Sequence, residues 1–300
     1  MSIASYMTPA LTAYVLVLVA LLGACMGSFL DCLAWRLVHG GNIFSGRSKC
    51  DACDHVLGIR DLIPIASWVS TKGHCRYCGA HISCRHPLIE LLCAGIFVVV
   101  MVHYQYSLEA IEMIAFACIL IVLSLTDLDS WTIPNGCIVT AIVIRFAYVI
   151  ANGVICGMDV FQVVCSTLFD GLIVAIPLLV LVLFADKVLK KESMGGGDLK
   201  LFFVAGLYFG WQECLLLIIL ACVFGIVLAL CSQPRNATDV SHQAVQSLDD
   251  SEGTENDHSA SDQSATGLQR MIPFGPSIAL ACFATMLCGQ TFIAWYIGLF

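Results

Sequence analysis

Two aspartates lie beside long apolar stretches at distant points of the chain. Asp127 belongs to the segment TDLDSWTIPN at 126–135, and Asp198 follows three glycines in MGGGDLK at 194–200. Ionised groups are costly next to hydrocarbon, so they usually have a function there. Two carboxyl groups can hydrolyse a peptide bond when one is ionised and takes a proton from water while the other polarises the carbonyl. The pair predicts a membrane-embedded aspartyl peptidase with Asp127 and Asp198 as catalytic residues.

Each aspartate alone also has an ordinary structural interpretation. Asp198 can be the N-cap of the helix that follows it, and Asp127 can be a solvated loop carboxylate beside Asp129, ahead of a helix with Pro134 in its first turn. A helix N-terminus favours an anion and a C-terminus favours a neutral acid. We therefore predict Asp198 as the general base and Asp127 as the initial acid.

Four of the 17 cysteines form a pattern. Cys50-x-x-Cys53 and Cys75-x-x-Cys78 are separated by 21 residues, which is close to the spacing of a two-knuckle zinc site. Four thiolates suit tetrahedral Zn²⁺ in a reducing compartment. The loop 33–87 is too short to form a hydrophobic core of its own, so a bound metal ion that cross-links it would help it to fold. Four free thiols or a redox pair are the alternatives. Other side chains in the same loop that can replace a ligand are Cys84, His55, His74, His81 and His86.

The composition describes the scaffold that carries these residues. The chain has 300 residues, of which 59% are hydrophobic and 12% charged, about half the charged fraction of a soluble domain, and its mean hydropathy is +0.89. These values exclude a soluble globular protein and predict an all-α polytopic membrane protein. The first apolar stretch, 11–30, lacks a basic n-region and is predicted to be retained as a spanning helix. The eight predicted spans are 10–32, 88–104, 108–126, 134–152, 166–186, 198–211, 214–231 and 273–297.

The sixth of these spans is short, because 14 residues of helix cover only about 21 Å of a hydrocarbon core about 30 Å thick. The alternative is one long helix with no turn at 210–213. With eight spans, however, 13 of the 14 Lys and Arg residues fall on one face, with Lys200 counted at the end of the loop 187–197 that it follows, and Arg145 inside the fourth span is the single exception. The positive-inside rule then makes that face cytoplasmic and places Asp127 and Asp198 at it.

Composition also divides the chain into domains. The segment near the C-terminus is rich in Ser, Asp and Gln and has no aromatic residue, so it is predicted to be a disordered linker that carries part of the net charge of −8. The predicted parts are a first transmembrane helix (1–32), a cytoplasmic Cys-x-x-Cys loop domain (33–87), a transmembrane aspartyl protease core (88–231), a disordered cytoplasmic linker (232–271) and a last transmembrane helix (272–300).

Six motifs, in order along nearly the whole chain, resemble those of the bacterial type IV prepilin peptidases, which are GxGD intramembrane aspartyl proteases. The matching residues are Gly27-Ser28-Phe29-Leu30 with Arg36 downstream, the two Cys-x-x-Cys pairs, His86-Pro87-Leu88-Ile89-Glu90-Leu91, Asp127 with Ile133-Pro134-Asn135, Gly195-Gly196-Gly197-Asp198-Leu199-Lys200, and Ile272-Pro273-Phe274-Gly275-Pro276.

This resemblance implies a bifunctional enzyme. Such enzymes cleave the basic leader of type IV prepilins and type II secretion pseudopilins after a glycine, then N-methylate the new N-terminal residue with S-adenosylmethionine. The family places its first catalytic aspartate seven residues before the proline of Ile-Pro-Asn, which selects Asp127 over Asp129, and its second in GxGD, which is Asp198. Glu90 and Arg36 are methyl-donor candidates by resemblance only; a helix-start carboxylate and a positive-inside anchor are their structural alternatives.

The chain departs from the family pattern at two positions linked to methyl transfer. Asp31 stands where the family usually has Asn, and Val38 where it usually has Pro. Two functions of other classes compete with the peptidase, namely a membrane metal transporter and a non-catalytic zinc-loop assembly scaffold. A transporter is expected to carry ionisable ligands in mid-span, and a scaffold leaves the paired aspartates unexplained. The expected partners are the pilin substrates and the lipid bilayer, with no nucleic acid.

Overall fold

The computed structural model describes residues 8–41, 47–190, 194–231 and 274–298. Within these ranges the chain is almost entirely helical and forms no strand, only isolated bridges in the cysteine loop, so the predicted all-α class is confirmed. The predicted linker 232–271 lies outside the described residues. The helices are α1 (Pro9–Val38), α2 (Ala66–Ser70), α3 (Arg85–His103), α4 (Leu108–Ser130), α5 (Asn135–Cys156), α6 (Val160–Leu189), α7 (Gly196–Cys231) and α8 (Gly275–Ile297), with a short 3₁₀ turn at Ile59–Asp61.

Seven of these helices, all but α2, are long and apolar enough to cross a membrane, and the protein is a multi-pass membrane protein. Helix α4 is the central one. In its most apolar stretch of 18 residues, 67% of the residues are buried inside the protein, and it packs on α1, α3, α5 and α8. Its ends are well defined, because the Ser107 hydroxyl accepts a hydrogen bond from the Ala110 amide and Trp131 closes the helix in the left-handed conformation.

The element α7 consists of two helical arms, 196–209 and 211–231, which are joined at Gly210 and form a hairpin. Gly210 has φ 74° and ψ 170°, a backbone conformation that only glycine adopts readily. A Cβ at Gly197 would lie 3.0 Å from Ile133, and one at Gly225 would lie 2.8 Å from the Phe274 ring. Ile133 and Phe274 flank the same end of α4, whereas 28 residues of straight helix extend about 42 Å. The chain therefore reverses at Gly210, and the two arms correspond to the predicted sixth and seventh spans.

The reversal brings several helix ends to one end of the bundle. The C-terminus of α4, the N-terminus of α7 and the N-terminus of α8 meet there, since Gly197 contacts Ile133 and Gly275 contacts Asp127. Helices α1 and α3 are antiparallel, with Gly23 against Ala94 and Gly27 against Glu90, so the cysteine loop joins them at one end. Arg85 at the start of α3 binds Asp129 near the end of α4, which puts the loop at this end of the bundle too.

Candidate active site

Asp127 lies in the last turn of α4 and is 6% exposed. Its carbonyl accepts a hydrogen bond from the Trp131 amide, 3.0 Å away, which closes the helix behind it. Its side-chain Oδ2 accepts a 2.8 Å hydrogen bond from the amide of Gly275, the first residue of α8. A Cβ at position 275 would lie 2.7 Å from that oxygen, so only glycine fits beside the carboxylate as it stands.

Asp198 is the third residue of α7, inside its first turn rather than at the N-cap position. Its amide donates to the Gly195 carbonyl at 3.1 Å. Among the three preceding glycines none has a positive φ. Only Gly197 is closely packed against another element, since a Cβ there would lie 3.0 Å from Ile133, whereas a Cβ at Gly196 would meet no atom within 4 Å. The Lys200 ammonium donates to Asn135 Oδ1 at 2.8 Å. The start of α7 is thus fixed on the Ile133–Asn135 segment that follows α4.

The structure brings the two predicted aspartates together. Asp198 is half-buried and lies within electrostatic range of Asp127. The sequence placed Asp127 at a helix C-terminus alone, but the Gly275 amide shows that it also faces the N-terminus of α8. Because both carboxylates face a helix N-terminus, helix dipoles do not distinguish the acid from the base. The dipole argument therefore no longer supports Asp198 as the general base and Asp127 as the initial acid. That assignment stays a prediction.

Asp129 is engaged elsewhere. Both of its oxygens accept hydrogen bonds from the Arg85 guanidinium, at 2.7 and 2.6 Å, a bidentate pair of the strong kind. Arg85 also lies 3.8 Å from the Asp31 carboxylate, which contacts the His86 ring. Sequence reasoning missed this network as a unit. Its signals were a charged residue inside the apolar α1 and the consecutive Arg85-His86 at the start of α3.

The four predicted metal ligands also come together. The sulfur atoms of Cys50, Cys53, Cys75 and Cys78 all lie within 4.8 Å of one another, and Cys50 Sγ is 3.8 Å from Cys78 Sγ. Tetrahedral thiolates at the usual zinc–sulfur distance of about 2.3 Å have their sulfur atoms about 3.8 Å apart, so the donor set fits Zn²⁺. Within the described ranges this is the one such cluster of three or more ligand side chains, and none of Cys84, His55, His74, His81 and His86 joins it.

The two cysteine pairs fold as matching turns. The Asp54 amide donates to the Cys50 carbonyl and the Gly79 amide donates to the Cys75 carbonyl, both at 2.9 Å, and both donor residues have positive φ. The backbone amides of Cys78 and Tyr77 lower the pKa of the Cys75 thiol to about 7, while hydrogen bonds to the other thiols of the cluster raise the pKa of Cys78. Of these two cysteines, Cys75 therefore takes more readily the thiolate form that binds metal.

The two methyl-donor candidates are not placed side by side by their helices. Glu90 is buried, and its Oε2 accepts a 2.7 Å hydrogen bond from the Ile65 amide, which ties the cysteine loop to α3. The residue of α1 opposite Glu90 is Gly27, and Arg36 lies nine residues beyond it, about 13 Å along the helix axis. Glu90 therefore has a structural role, to which any role toward a methyl donor would be additional.

Two family models match consecutive parts of the chain. One, described as the bacterial peptidase A24 N-terminal domain, matches residues 21–104, and one described as the type IV leader peptidase family matches residues 114–230. No solved structure matches.

Named relatives agree with these matches. The prepilin leader peptidase/N-methyltransferase of Myxococcus xanthus (strain DK1622) is 28% identical over 229 residues, 76% of this chain and 65% of the relative. The enzyme of the same name from Bacillus subtilis (strain 168) is 31% identical, over 63% of this chain and 71% of the relative. The type 4 prepilin-like proteins leader peptide-processing enzyme of Escherichia coli O78:H11 is 30% identical, over 72% of this chain and 85% of the relative. On these matches, the chain belongs to the type IV leader peptidase family.

Proposed function

We propose that the protein removes the basic leader of type IV prepilins and pseudopilins and then N-methylates the new N-terminal residue. Both activities appear in the name that relatives from Myxococcus xanthus, Stutzerimonas stutzeri and Pseudomonas putida carry. The observation that supports the peptidase half best is the meeting of two carboxylates from distant parts of the sequence. Asp127 lies in the last turn of α4, Asp198 lies in the first turn of α7, and they are within electrostatic range of each other at one end of the bundle.

The proposed cleavage uses both carboxyl groups of this pair. One is ionised and takes a proton from a water molecule, which attacks the carbonyl carbon of the peptide bond, while the other is protonated and donates a hydrogen bond to the carbonyl oxygen. The C–N bond then breaks as the proton taken from water passes to the departing amine, so the leader leaves with a new carboxyl group and the pilin with a new N-terminus. The Gly275 amide holds the Asp127 carboxylate in place. A prepilin is itself an apolar helix preceded by a basic leader, so we propose that the acidic pair attracts the leader. Asp129 does not share this task, because Arg85 already binds both of its oxygens.

We place this end of the bundle at the cytoplasmic face of the inner membrane. With the hairpin in α7, the described parts of the loops that carry most of the Lys and Arg residues fall at the same end as Asp127 and Asp198, and the positive-inside rule assigns that end to the cytoplasm. We propose that Cys50, Cys53, Cys75 and Cys78 hold one structural Zn²⁺ that folds the loop. Glu90 and Arg36 are proposed for the S-adenosylmethionine site on the resemblance alone.

Direct incubation with a prepilin tests the function. The purified protein in detergent is mixed with a prepilin, and intact mass follows the substrate with and without S-adenosylmethionine. We expect loss of the leader in both samples and a further gain of one methyl group only with the methyl donor. A metal transporter or a non-catalytic scaffold would leave the prepilin mass unchanged.

The Gly275 contact gives a sharper test of the proposed catalytic pair. In Gly275→Ala the new methyl group would stand 2.7 Å from Asp127 Oδ2, so the carboxylate must move and its hydrogen bond to the 275 amide loosens. Because displacing a reacting group by about 1 Å costs on the order of 10²-fold in rate, we expect leader removal to slow by about 10- to 100-fold. Initial rates on the same prepilin measure the effect.

The matched control for this substitution is Gly95→Ala in α3, where a Cβ meets no atom within 4 Å. We expect the control to cleave at the wild-type rate. Wild-type cleavage by folded Gly275→Ala protein would show that Asp127 tolerates displacement and would count against its catalytic role.

A further inference from the structure

The reversal at Gly210 creates a problem inside the membrane. A helix that stops leaves its last carbonyl groups without partners in its own helix, and hydrocarbon offers no water to bond them. The first arm of α7 stops at this point, with Leu207 and Tyr208 in its last turn, and both residues are buried.

Arg145 of α5 supplies a partner. Its Nε donates a 2.8 Å hydrogen bond to the Leu207 carbonyl, while its NH1 atom donates to both Glu112 oxygens at 3.0 and 3.3 Å. The side chain of Arg145 is 16% exposed and that of Glu112 is 2% exposed. One guanidinium thus joins α5, α4 and the end of the first arm, and Glu112 balances its charge.

The residue after Leu207 is fixed by separate contacts. The Tyr208 hydroxyl donates to the Ala141 carbonyl at 2.9 Å, and its ring stacks on Phe116 with centroids 3.9 Å apart. The Arg145 guanidinium carbon lies 5.3 Å from the Tyr208 ring centre, within range of a cation–π interaction. The end of the first arm is therefore held against α4, the helix that carries Asp127, and against α5, the helix that follows it.

The first arm links this anchor to the proposed active site. Nine residues of continuous helix separate Asp198 from Leu207, about 13.5 Å, so an axial shift at Leu207 moves Asp198 with it. We propose that Arg145 is a positioning residue for leader cleavage, which fixes the depth of the first arm and so sets Asp198 beside Asp127. This inference rests on the proposed peptidase function and adds to it a residue at the opposite end of the arm.

The charge of Arg145 alone does not explain its presence. A buried ion pair can often be replaced as a whole by apolar residues without loss of stability. The stability of the protein therefore does not by itself require the Arg145–Glu112 pair. The bond from Nε to the Leu207 carbonyl is what an apolar pair cannot reproduce. The planar guanidinium can serve an acceptor on each side, whereas an ammonium is a compact point charge.

Two variants separate positioning from charge balance. Arg145→Lys keeps a cation beside Glu112 but lacks the second, fixed donor, and the double variant Glu112→Leu with Arg145→Leu removes both charges and the Leu207 bond. We expect Arg145→Lys to unfold near the wild-type temperature and the double variant to unfold at a somewhat lower one, because its Leu207 carbonyl is left unpaired. Each should cleave prepilin with a kcat about 10- to 100-fold lower, with KM within about three-fold because the binding surface is unchanged. Methyl transfer to a pilin already cleaved should stay near the wild-type rate.

Tyr148→Leu serves as the matched control. It removes the other aromatic ring next to Arg145, 5.7 Å from the guanidinium carbon, while Arg145 keeps its bond to α7, so we expect it to cleave like wild type. Amide hydrogen exchange gives a readout that needs no activity: in Arg145→Lys, exchange should rise over 198–210 and stay unchanged over α4.

The outcomes separate this inference from the proposed function. Wild-type kcat and wild-type exchange in Arg145→Lys would overturn the positioning role while leaving the peptidase intact. Parallel losses of cleavage, methyl transfer and thermal stability would overturn it in favour of a general structural role. If the wild-type protein cleaves no prepilin, the proposed function fails, and the exchange experiment still decides whether Arg145 holds the first arm.

Discussion

Asp127→Asn and Asp198→Asn are each expected to slow leader removal by roughly 10²- to 10⁴-fold, the range for losing a general acid or base. The amide has the shape of the carboxyl group, so the Gly275 hydrogen bond and the first turn of α7 are kept, and the change removes proton transfer alone. Because the two groups act as a unit, the double variant should be little slower than either single one. Single-turnover cleavage of a prepilin, with excess enzyme, measures all three rates.

Asp129→Asn is the control for this experiment, since it is the same chemical change two residues away. Arg85 binds both Asp129 oxygens, and this carboxylate has no part in the proposed reaction, so we expect cleavage within about ten-fold of wild type, the cost of weakening a partly exposed ion pair. Full cleavage by both Asp127→Asn and Asp198→Asn would remove the peptidase proposal. A greater loss in Asp129→Asn than in Asp127→Asn would reassign the first catalytic residue.

The spans, the two aspartate motifs and the cysteine cluster could all be predicted because each leaves a local pattern. Long apolar runs marked the helices, and the turn expected near 210–213 is the reversal at Gly210. The Cys-x-x-Cys spacing marked the four sulfur atoms that the structure brings within 4.8 Å of one another. Such patterns need only neighbours along the chain, so periodicity and spacing are enough to find them.

The contacts that position these groups could not be predicted, because they join residues far apart in sequence. Nothing near Asp127 indicates that the Gly275 amide, 148 residues away, donates to it. The same holds for Arg145, which the sequence showed only as one charge within an apolar span. Its partners Glu112 and Leu207 lie 33 and 62 residues away. The prediction for Asp127 considered only the dipole of α4, the helix that carries it. The N-terminus of α8 comes beside Asp127 only when the helices pack, so its dipole could not be included.

The mid-span charges also bear on the competing transporter hypothesis. A metal transporter is expected to carry ionisable ligands within the bilayer, and Glu112 and Arg145 are such residues. They bind each other, and Arg145 also binds a backbone carbonyl, so the pair is accounted for by the reversal of α7. The metal-ligand cluster found in the described parts of the chain lies instead in the cysteine loop. The Glu112–Arg145 pair is therefore no evidence for a transporter.

The cysteine cluster leads to the second large effect. Cys50→Ser and Cys75→Ser, one from each pair, are expected to reduce bound zinc from one per chain to near zero, because metal binding and folding of so small a loop are one process. Methyl transfer should fall by about 10- to 100-fold, the cost of disturbing a metal site, and leader removal should fall less. Asp127 and Asp198 are placed by α4, α7 and α8, whereas the loop reaches α3 through the bond from the Ile65 amide to Glu90.

Cys84→Ser tests whether this effect is specific to the cluster, since Cys84 is an exposed cysteine of the same loop outside the four-sulfur group. We expect it to retain zinc and both activities. Metal analysis of the purified proteins, with the two reactions scored separately on uncleaved and cleaved pilin, provides the comparison. Equal losses of cleavage and methyl transfer in Cys50→Ser would mean that the metal supports the whole bundle. Undiminished zinc in both cluster variants would rule out the four-thiolate site, because a structural zinc ion that has lost one of its four ligands is held much more weakly.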